Sequence, residues 1–574
     1  MSSVFASSLT RRPWWLESVA RWCRGPWQLS QERLALWLGL YVSVTANLTF
    51  FRVVAQTGTF AGAGGLWFGI ALFVAITALN WFLFLLLVNH WTGRSVATLL
   101  LVVTAMAAHY MNRYTVYLDP DMIRNILHTD TKEAGELLSL SALPSLVLLG
   151  VIPSLAVWRV HFTSRSFGRA VAMRLSAILA ALLVATVMIV SVYQPLASLM
   201  RNQKELRYLV TPGNYLVSLA SVLQGPGHTG PKLPIGTQAK VVGRPAHAKP
   251  RLLVLVVGET VRAQNWGLNG YERQTTPRLA QVDGLVNFPD VTACGSATEV
   301  SVPCMFSPYG RRDYDKGRIE GSEGLLHVLN HAGIRTLWRD NQGGCKGVCD
   351  GLAFESFRDA RVSGVCNAEG CLDEAMLSGL VERATREQGD MVVVLHQLGS
   401  HGPAYYKRYP KRLSEFAPAC ESPELSQCGR EQIVNAYDNS VLQTDDFLAR
   451  TIHILSGVTS MDTAMLYVSD HGESLGEGGL YLHGVPYAIA PDTQVKVPMV
   501  LWMSNGFVTS RGLDRACLQR IASEPASHDN LFPSVLGLMQ VATPEADANF
   551  DLFTPCTKTV AHADPAGVGS HEHG

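Results

Sequence analysis

Apolar and polar positions alternate on two different rhythms along this chain. In about the first two hundred residues the apolar side chains come in long unbroken runs, at 34–51, 66–88, 95–111, 143–157 and 175–192. A helix needs about 20 apolar residues, with a lower limit near 17, to cross the hydrocarbon core of a bilayer. Five spans are expected, of which the fourth run is the shortest and carries Pro144 and Pro153. The first run starts too late, and is followed by too many others, to be a cleaved signal peptide. Between the third and fourth runs lies the acid-rich stretch "YLDPDMIRNILHTDTKEAGELL". There Met122, Ile123, Ile126, Leu127, Ala134, Leu137 and Leu138 form an apolar stripe at helical spacing. Such a helix either lies in the membrane interface or packs on a soluble domain.

The second rhythm begins after a break. Residues 224–250, "QGPGHTGPKLPIGTQAKVVGRPAHAKP", are dense in Gly and Pro, the composition of a linker. Beyond it, short apolar runs of strand character each end in a potential ligand. "RLLVLVVGET" ends at Glu259, "MVVVLHQLGSHG" leads to His396 and His401, and "AMLYVSDHGES" leads to Asp470 and His471. Helix-like stretches, such as 324–331 and 442–455, separate the runs. Near-continuous apolar strands alternating with helices predict a parallel α/β sheet. In such sheets the site lies beyond the carboxyl ends of the strands. The expected organisation is a membrane domain over 1–223, a linker over 224–250, an α/β domain over 251–560 and a disordered, His-containing tail over 561–574.

Charge then orients the chain. Arginines concentrate before the first run (Arg11, Arg12, Arg21, Arg24, Arg33), in the second short loop (Arg94) and between the last two runs (Arg159, Arg165, Arg169, Arg174). With five spans these segments share one side, and the positive-inside rule makes that side the cytoplasm. The α/β half is then extracytoplasmic. Cysteine usage points the same way, because ten of the 11 cysteines lie in that half and only Cys23 lies outside it. Four sequential couples (Cys294/Cys304, Cys345/Cys349, Cys366/Cys371 and Cys420/Cys428) are close enough to be bridged within a loop, leaving Cys517 and Cys556 as a fifth pair. The absence of any CxxC pair argues against a zinc-binding cysteine set. Formal net charge is zero, so no long-range attraction draws the chain to nucleic acid.

Glu259, Asp470 and His471 are oxygen and nitrogen ligands that suit Zn²⁺. A metal beside a hydroxyl lowers its pKa and makes it a nucleophile near neutral pH. The stretch "CGSATEVSVPC" offers three such hydroxyls, Ser296, Thr298 and Ser301, inside a loop closed by cysteines. The residue pattern alone does not choose among them.

A resemblance does. "VVGETVRAQNWGLNGYERQTTP", "CGSATEVSVPCMFS", "LWRDN", "HQLGSHGPAYYKRYP", "NAYDNSVLQTDDF" and "YVSDHGESLGEGGLYLHGVPYAIAP" together resemble the lipid A phosphoethanolamine transferases, close to the mobile colistin-resistance enzymes and their chromosomal relatives. The likeness runs from the first span to about residue 550. It implies five spans and a periplasmic domain of alkaline-phosphatase and sulfatase type. It also implies a threonine nucleophile at Thr298 and a zinc held by Glu259, Thr298, Asp470 and His471. Lys346, His401 and His483 fall where the family binds phosphate oxygens or a second zinc. Asn112 and Thr115 lie where it places substrate-binding residues on the membrane side. One departure is the cysteine pair flanking Lys346, which some relatives lack.

The implied activity moves phosphoethanolamine from phosphatidylethanolamine to a phosphate of lipid A and gives polymyxin resistance. Kdo or heptose of the lipopolysaccharide core is the alternative acceptor, and a phosphodiester or sulfate hydrolase of the same fold the alternative reaction. A sulfatase would need Cys or Ser in a CxPxR-type motif, where this chain has Thr298 and "SVPCMFS". A receptor or transporter would not need the four ligands together, and its spans would carry charge along a pathway. The expected setting is the bacterial inner membrane, with the N-terminus cytoplasmic, the catalytic half periplasmic and the protein a monomer.

Overall fold

The computed structural model describes residues 27–557 apart from 130–133, 136–139, 225–230, 245–246, 368–369 and 387–388. Cys23, the arginines at 11, 12, 21 and 24, Leu137, Leu138, parts of the linker and the 561–574 tail lie outside the described residues. Two compact units emerge. One draws on 1–120 and 140–220, the other on 121–139 and 221–574. The acid-rich stretch therefore belongs with the second unit, although it sits between two apolar runs in the chain.

The first unit is helical. Its elements are α1 (Gln31–Ala46), α2 (Leu48–Gln56), α3 (Gly62–Leu87), α4 (Gly93–Tyr114), α5 (Ala142–Trp158) and α6 (Phe167–Ser191). Among the described residues α3, α4 and α6 are long and apolar enough to cross a membrane. α1 and α2 add a fourth span if counted together, though they bend by 51° at Asn47. The bend has a cause: the Asn47 side-chain amide donates to the Val42 carbonyl at 3.2 Å and to the Thr211 carbonyl at 3.0 Å, and its oxygen accepts from the Thr211 N–H at 2.9 Å. A side chain inserted into the helix ladder in this way breaks its direction. α5, the expected fourth span, is shorter and contains a π-helical turn over Leu146–Val151. Pro153 offers no N–H to the carbonyls behind it, which favours such a register change. α1 and α3 approach closely at Gly39, where a Cβ would come within 2.8 Å of the Trp81 backbone nitrogen. Large apolar side chains such as Trp37, Leu179 and Leu183 face outward from these helices.

The second unit is built on one eight-stranded sheet. Its strands are β1 (Arg251–Gly258), β2 (Val286–Thr292), β3 (Arg335–Asp340), β4 (Ala353–Ser356), β5 (Met391–His396), β6 (Asp462–Ser469), β7 (Lys496–Met503) and β8 (Ala526–Ser527), in the order β8-β2-β7-β6-β1-β5-β3-β4. All run in one direction except β7, which is antiparallel to both neighbours. The sheet is thus mixed, where the apolar runs predicted a parallel one. An inner strand covered on both faces reads as a continuous apolar run in either orientation. β1 is buried at every position. Leu253, Leu255 and Val257 pack on one side with Phe306 and Trp338, while Leu252, Val254 and Val256 pack on the other with Tyr437, Val441 and Phe447 of the long helix Arg430–Ser456. The same unit carries the five disulfides expected from spacing: Cys294–Cys304, Cys345–Cys349, Cys366–Cys371, Cys420–Cys428 and Cys517–Cys556.

Candidate active site

Strand register brings the first ligands together. β1 and β6 are adjacent and parallel, with Gly258 opposite Ser469. The next residue on each is Glu259 and Asp470, so two carboxylates leave the sheet side by side, and His471 follows. Oxygens of Glu259 and Asp470 and a ring nitrogen of His471 lie within 4.8 Å of one another. All three side chains are fully buried.

Thr298 joins them from another element. It is the first residue of the helix Thr298–Met305, whose loop is closed by Cys294–Cys304 with Cα atoms 6.0 Å apart. Its hydroxyl donates to Glu259 Oε2 at 3.0 Å and lies 3.3 Å from His471 Nε2. The other two hydroxyls of the loop are committed elsewhere. Ser296 donates to the Val485 carbonyl and Ser301 to the Asp470 carbonyl. The geometry therefore singles out Thr298, which the residue pattern could not.

The donor set fits a divalent cation. Glu259 Oε1 and Asp470 Oδ2 are buried and accept no hydrogen bond, an arrangement that is unfavourable unless a positive charge stands between them. His471 donates from Nδ1 to the Gly472 carbonyl at 2.8 Å, which turns Nε2 toward the carboxylates, where it can ligate. With the protein groups alone, burial and the Glu259 charge push Asp470 up to about 7. Burial disfavours the charged imidazole, yet the Asp470 and Glu259 charges beside Nε2 outweigh it and push His471 up to about 10. Burial also opposes charge on Glu259, but the His471 imidazole 3.3 Å away holds it below the ordinary carboxylate range.

Of the remaining expected residues, three lie in this unit. The His483 ring centroid is 4.4 Å from that of His471 and 5.6 Å from that of His401. Glu473, which the sequence reading missed, orients His483 by accepting from Nδ1 at 2.8 Å and also takes the Tyr405 hydroxyl at 2.6 Å. Lys346 stands in the Cys345–Cys349 turn with φ of 50°, between Gly344 and Gly347 in the same left-handed region. That loop reaches the ligands through Gln342, whose amide donates to Glu259 Oε2 at 3.3 Å. Two further backbone outliers, Thr260 at φ 56° and Leu482 at φ 63°, directly follow Glu259 and precede His483. Strained residues of this kind gather where a site over-determines its backbone. His396 is not among the ligands; its Nδ1 pairs with Asp340 at 2.8 Å, across the β5–β3 register. Asn112 and Thr115 belong to the helical unit: Asn112 accepts from Thr49 at 2.7 Å, and Thr115 is the left-handed residue that ends α4.

Other residues had no sequence signal. Glu299 Oε1 accepts from His128 Nδ1 at 2.8 Å, and its Oε2 lies 3.8 Å from Lys346 Nζ. His528 accepts from the Cys294 N–H at 3.1 Å and bonds the Ser469 carbonyl at 2.9 Å, so it ties the Thr298 loop to β6. Their partners lie 171, 234 and 59 residues away.

In the second unit a buried Glu–Asp–His set at strand ends faces a threonine at a helix start, and a family match makes this a sulfatase-type domain. The Sulfatase family profile matches residues 251–541, and the profile described as Phosphoethanolamine transferase EptA/EptB matches residues 76–226. The chain belongs to the EptA/EptB phosphoethanolamine transferase family. It is 37% identical to phosphoethanolamine transferase EptA of Salmonella typhimurium, over 92% of this chain and 98% of that one. It is 38% identical to phosphatidylethanolamine transferase Mcr-1 of Escherichia coli, over 88% and 94% respectively. The structure of the integral membrane protein lipooligosaccharide phosphoethanolamine transferase A from Neisseria meningitidis superposes with a TM-score of 0.89 at 36% identity, covering 93% of this chain and 100% of that one.

Proposed function

We propose that this chain transfers phosphoethanolamine from phosphatidylethanolamine to a phosphate of lipid A, by way of a phosphoethanolamine-threonine on Thr298. The observation that carries the reading is that Thr298, alone of three loop hydroxyls, meets Glu259 and His471. The names of the relatives supply the donor and the group moved. Zinc suits this set of three oxygen donors and one nitrogen, contributed by Glu259, Thr298, Asp470 and His471. When bound, the ion supplies Lewis acidity at the phosphoryl group and favours the alkoxide form of the nucleophile.

The protein groups divide the remaining work. Thr298 Oγ1 attacks phosphorus as its proton passes to Glu259 Oε2, and the bond from phosphorus to the diacylglycerol oxygen breaks, that oxygen taking the proton as diacylglycerol leaves. A lipid A phosphate oxygen then gives up its own proton and attacks the same phosphorus, and Thr298 takes that proton as it leaves as the hydroxyl. Lys346, His401 and His483 donate to phosphoryl oxygens and hold the incoming phosphate. Both substrates are lipids, which accounts for the apolar helices. The setting that fits is the inner membrane, with five spans, a cytoplasmic N-terminus, a periplasmic second unit and a monomeric chain. Arginines before α1 and between α5 and α6 support that orientation. Each transfer adds an ammonium to the acceptor and weakens the pull of the surface on cationic polymyxins.

Mass spectrometry of lipopolysaccharide from cells expressing the full chain tests this. Wild type adds phosphoethanolamine to lipid A, and Thr298→Ala adds none while keeping its fold. Phosphoethanolamine found only on Kdo or heptose would move the acceptor to the core. Lipid A modified equally by Thr298→Ala would remove Thr298 from the chemistry.

A further inference from the structure

Glu299 follows the nucleophile directly, and the mechanism above gives it no task. Successive helix residues point about 100° apart, so while Thr298 faces Glu259 and His471, Glu299 faces a different space. That space is a cavity of about 550 Å³ lined by Arg124, His128, Lys232, Glu299 and Lys346, among others. Only 7% of Glu299 is exposed. Burying a carboxylate is costly unless both oxygens are served. Oε1 is served by His128 Nδ1 at 2.8 Å, but Oε2 is buried and makes no hydrogen bond. Its nearest cation, Lys346 Nζ, stands at 3.8 Å, too far for one. A negative charge in the first turn of a helix is favourable for its own sake, and the His128 contact secures the helix Pro120–His128. Those roles account for Oε1 and leave Oε2 and the cavity unexplained.

Resting on the transferase reading, we propose that Glu299 Oε2 receives the ammonium of the donor's ethanolamine while Lys346 receives a phosphate oxygen. A zwitterion with phosphate and ammonium on a two-carbon tether slots into this loose pair in opposite order. Each protein charge then gains a charge-assisted hydrogen bond that it lacks toward the other. Two of the cavity's walls lead to the site: Glu299 is next to Thr298 in the chain, and the 342–346 loop that carries Lys346 touches Glu259. Glu299 is thus a specificity-determining residue that tells ethanolamine from a headgroup without a cation.

The test compares two small probes, O-phosphoethanolamine and ethyl phosphate, which share the phosphate and differ in the ammonium. Calorimetric titration of the full-length protein in detergent measures both affinities. Wild type is expected to prefer O-phosphoethanolamine at least tenfold. Glu299→Gln keeps the shape and a hydrogen bond to His128 but not the charge, so the ratio should fall to near one through weaker binding of O-phosphoethanolamine alone. Glu299→Asp keeps the charge with shorter reach and should retain an intermediate ratio; it carries the comparison if the Gln variant fails to fold. A wild-type protein indifferent to the ammonium, a Gln variant with the wild-type preference, or an Asp variant with an unchanged ratio overturns the proposal. Intact-mass detection of phosphoethanolamine on Thr298 after incubation with phosphatidylethanolamine judges the transferase reading separately. A labelled Thr298 with no probe preference would reject only the Glu299 subsite.

Discussion

Three hydroxyls in one stapled loop have three different partners. Ser296 and Ser301 tie the loop to neighbouring carbonyls, and only Thr298 turns to the Glu259–Asp470–His471 set. In the proposed mechanism His483 donates to phosphoryl oxygen, and its loss would remove that donor. His483→Ala should lower transfer by roughly 2–4 kcal/mol of transition-state binding, while phosphoethanolamine-Thr298 still forms. Normal turnover of that adduct in intact-mass spectra would make His483 structural. His528 yields a pH prediction. Burial pushes it down to about 4, and its two nitrogens are already committed, one accepting from Cys294 N–H. The unfolded chain therefore binds this proton more tightly than the fold does. The stabilisation is complete above about pH 6.5 and is lost as pH falls from there toward 4, by roughly 3 kcal/mol. His528→Asn should flatten the decline in melting temperature between pH 7 and pH 4.5; an unchanged slope would locate the acid sensitivity elsewhere. Of these side chains Glu259, Asp470 and His471 were legible because each follows an apolar run, whereas Thr298 needed the family resemblance. Glu299, Glu473 and His528 were silent, because each acquires its meaning from a partner that the fold supplies from far along the chain.

Strands and helices show the same split. Glu259 and Asp470 are neighbours because β1 and β6 pair in register, and both strands were visible as apolar runs. The reversed β7 was not, since burial on two faces leaves no trace of direction. The helix Arg430–Ser456 is also longer than its apolar pattern over 442–455 predicts. Its buried Asp438 and Asp445 interrupt the pattern: Asp438 bonds Asn265 and Tyr271, and Asp445 takes the backbone N–H groups of Arg278 and Leu279. Polar residues used as internal fasteners disguise a helix. Disulfides of different reach should behave differently. Cys517–Cys556 closes 39 residues and Cys345–Cys349 only 4. Loop-closure entropy makes the longer bridge about 2 kcal/mol more stabilising. Replacing Cys517 and Cys556 with Ser should lower the melting temperature more than replacing Cys345 and Cys349. The short staple should instead show in transfer rate, because it holds Lys346 in its left-handed turn. Equal melting losses with no effect on rate would refute that division.

Across the whole chain, the catalytic unit concentrates buried negative charge at one edge of its sheet, and an ion is the natural remedy. Chelation of the full-length protein should abolish transfer and destabilise the second unit by about 2.7 kcal/mol for an ion held at a hundred times its dissociation constant, read as a lower melting temperature. Added zinc should restore both. Full activity after rigorous chelation would rule out an essential ion. The division into two units has a further consequence. The catalytic unit is not one continuous stretch: residues 121–139 belong to it, yet the chain returns to the helical unit before completing it. Arg124 and His128 in the cavity wall are thus encoded well upstream of the sheet they serve. On the ribosome this strip emerges first and waits, unpartnered, while α5 and α6 are made and the nucleophile loop is translated. A gene fragment that begins after the linker would encode Glu259, Thr298, Asp470 and His471 and still leave the cavity without one side.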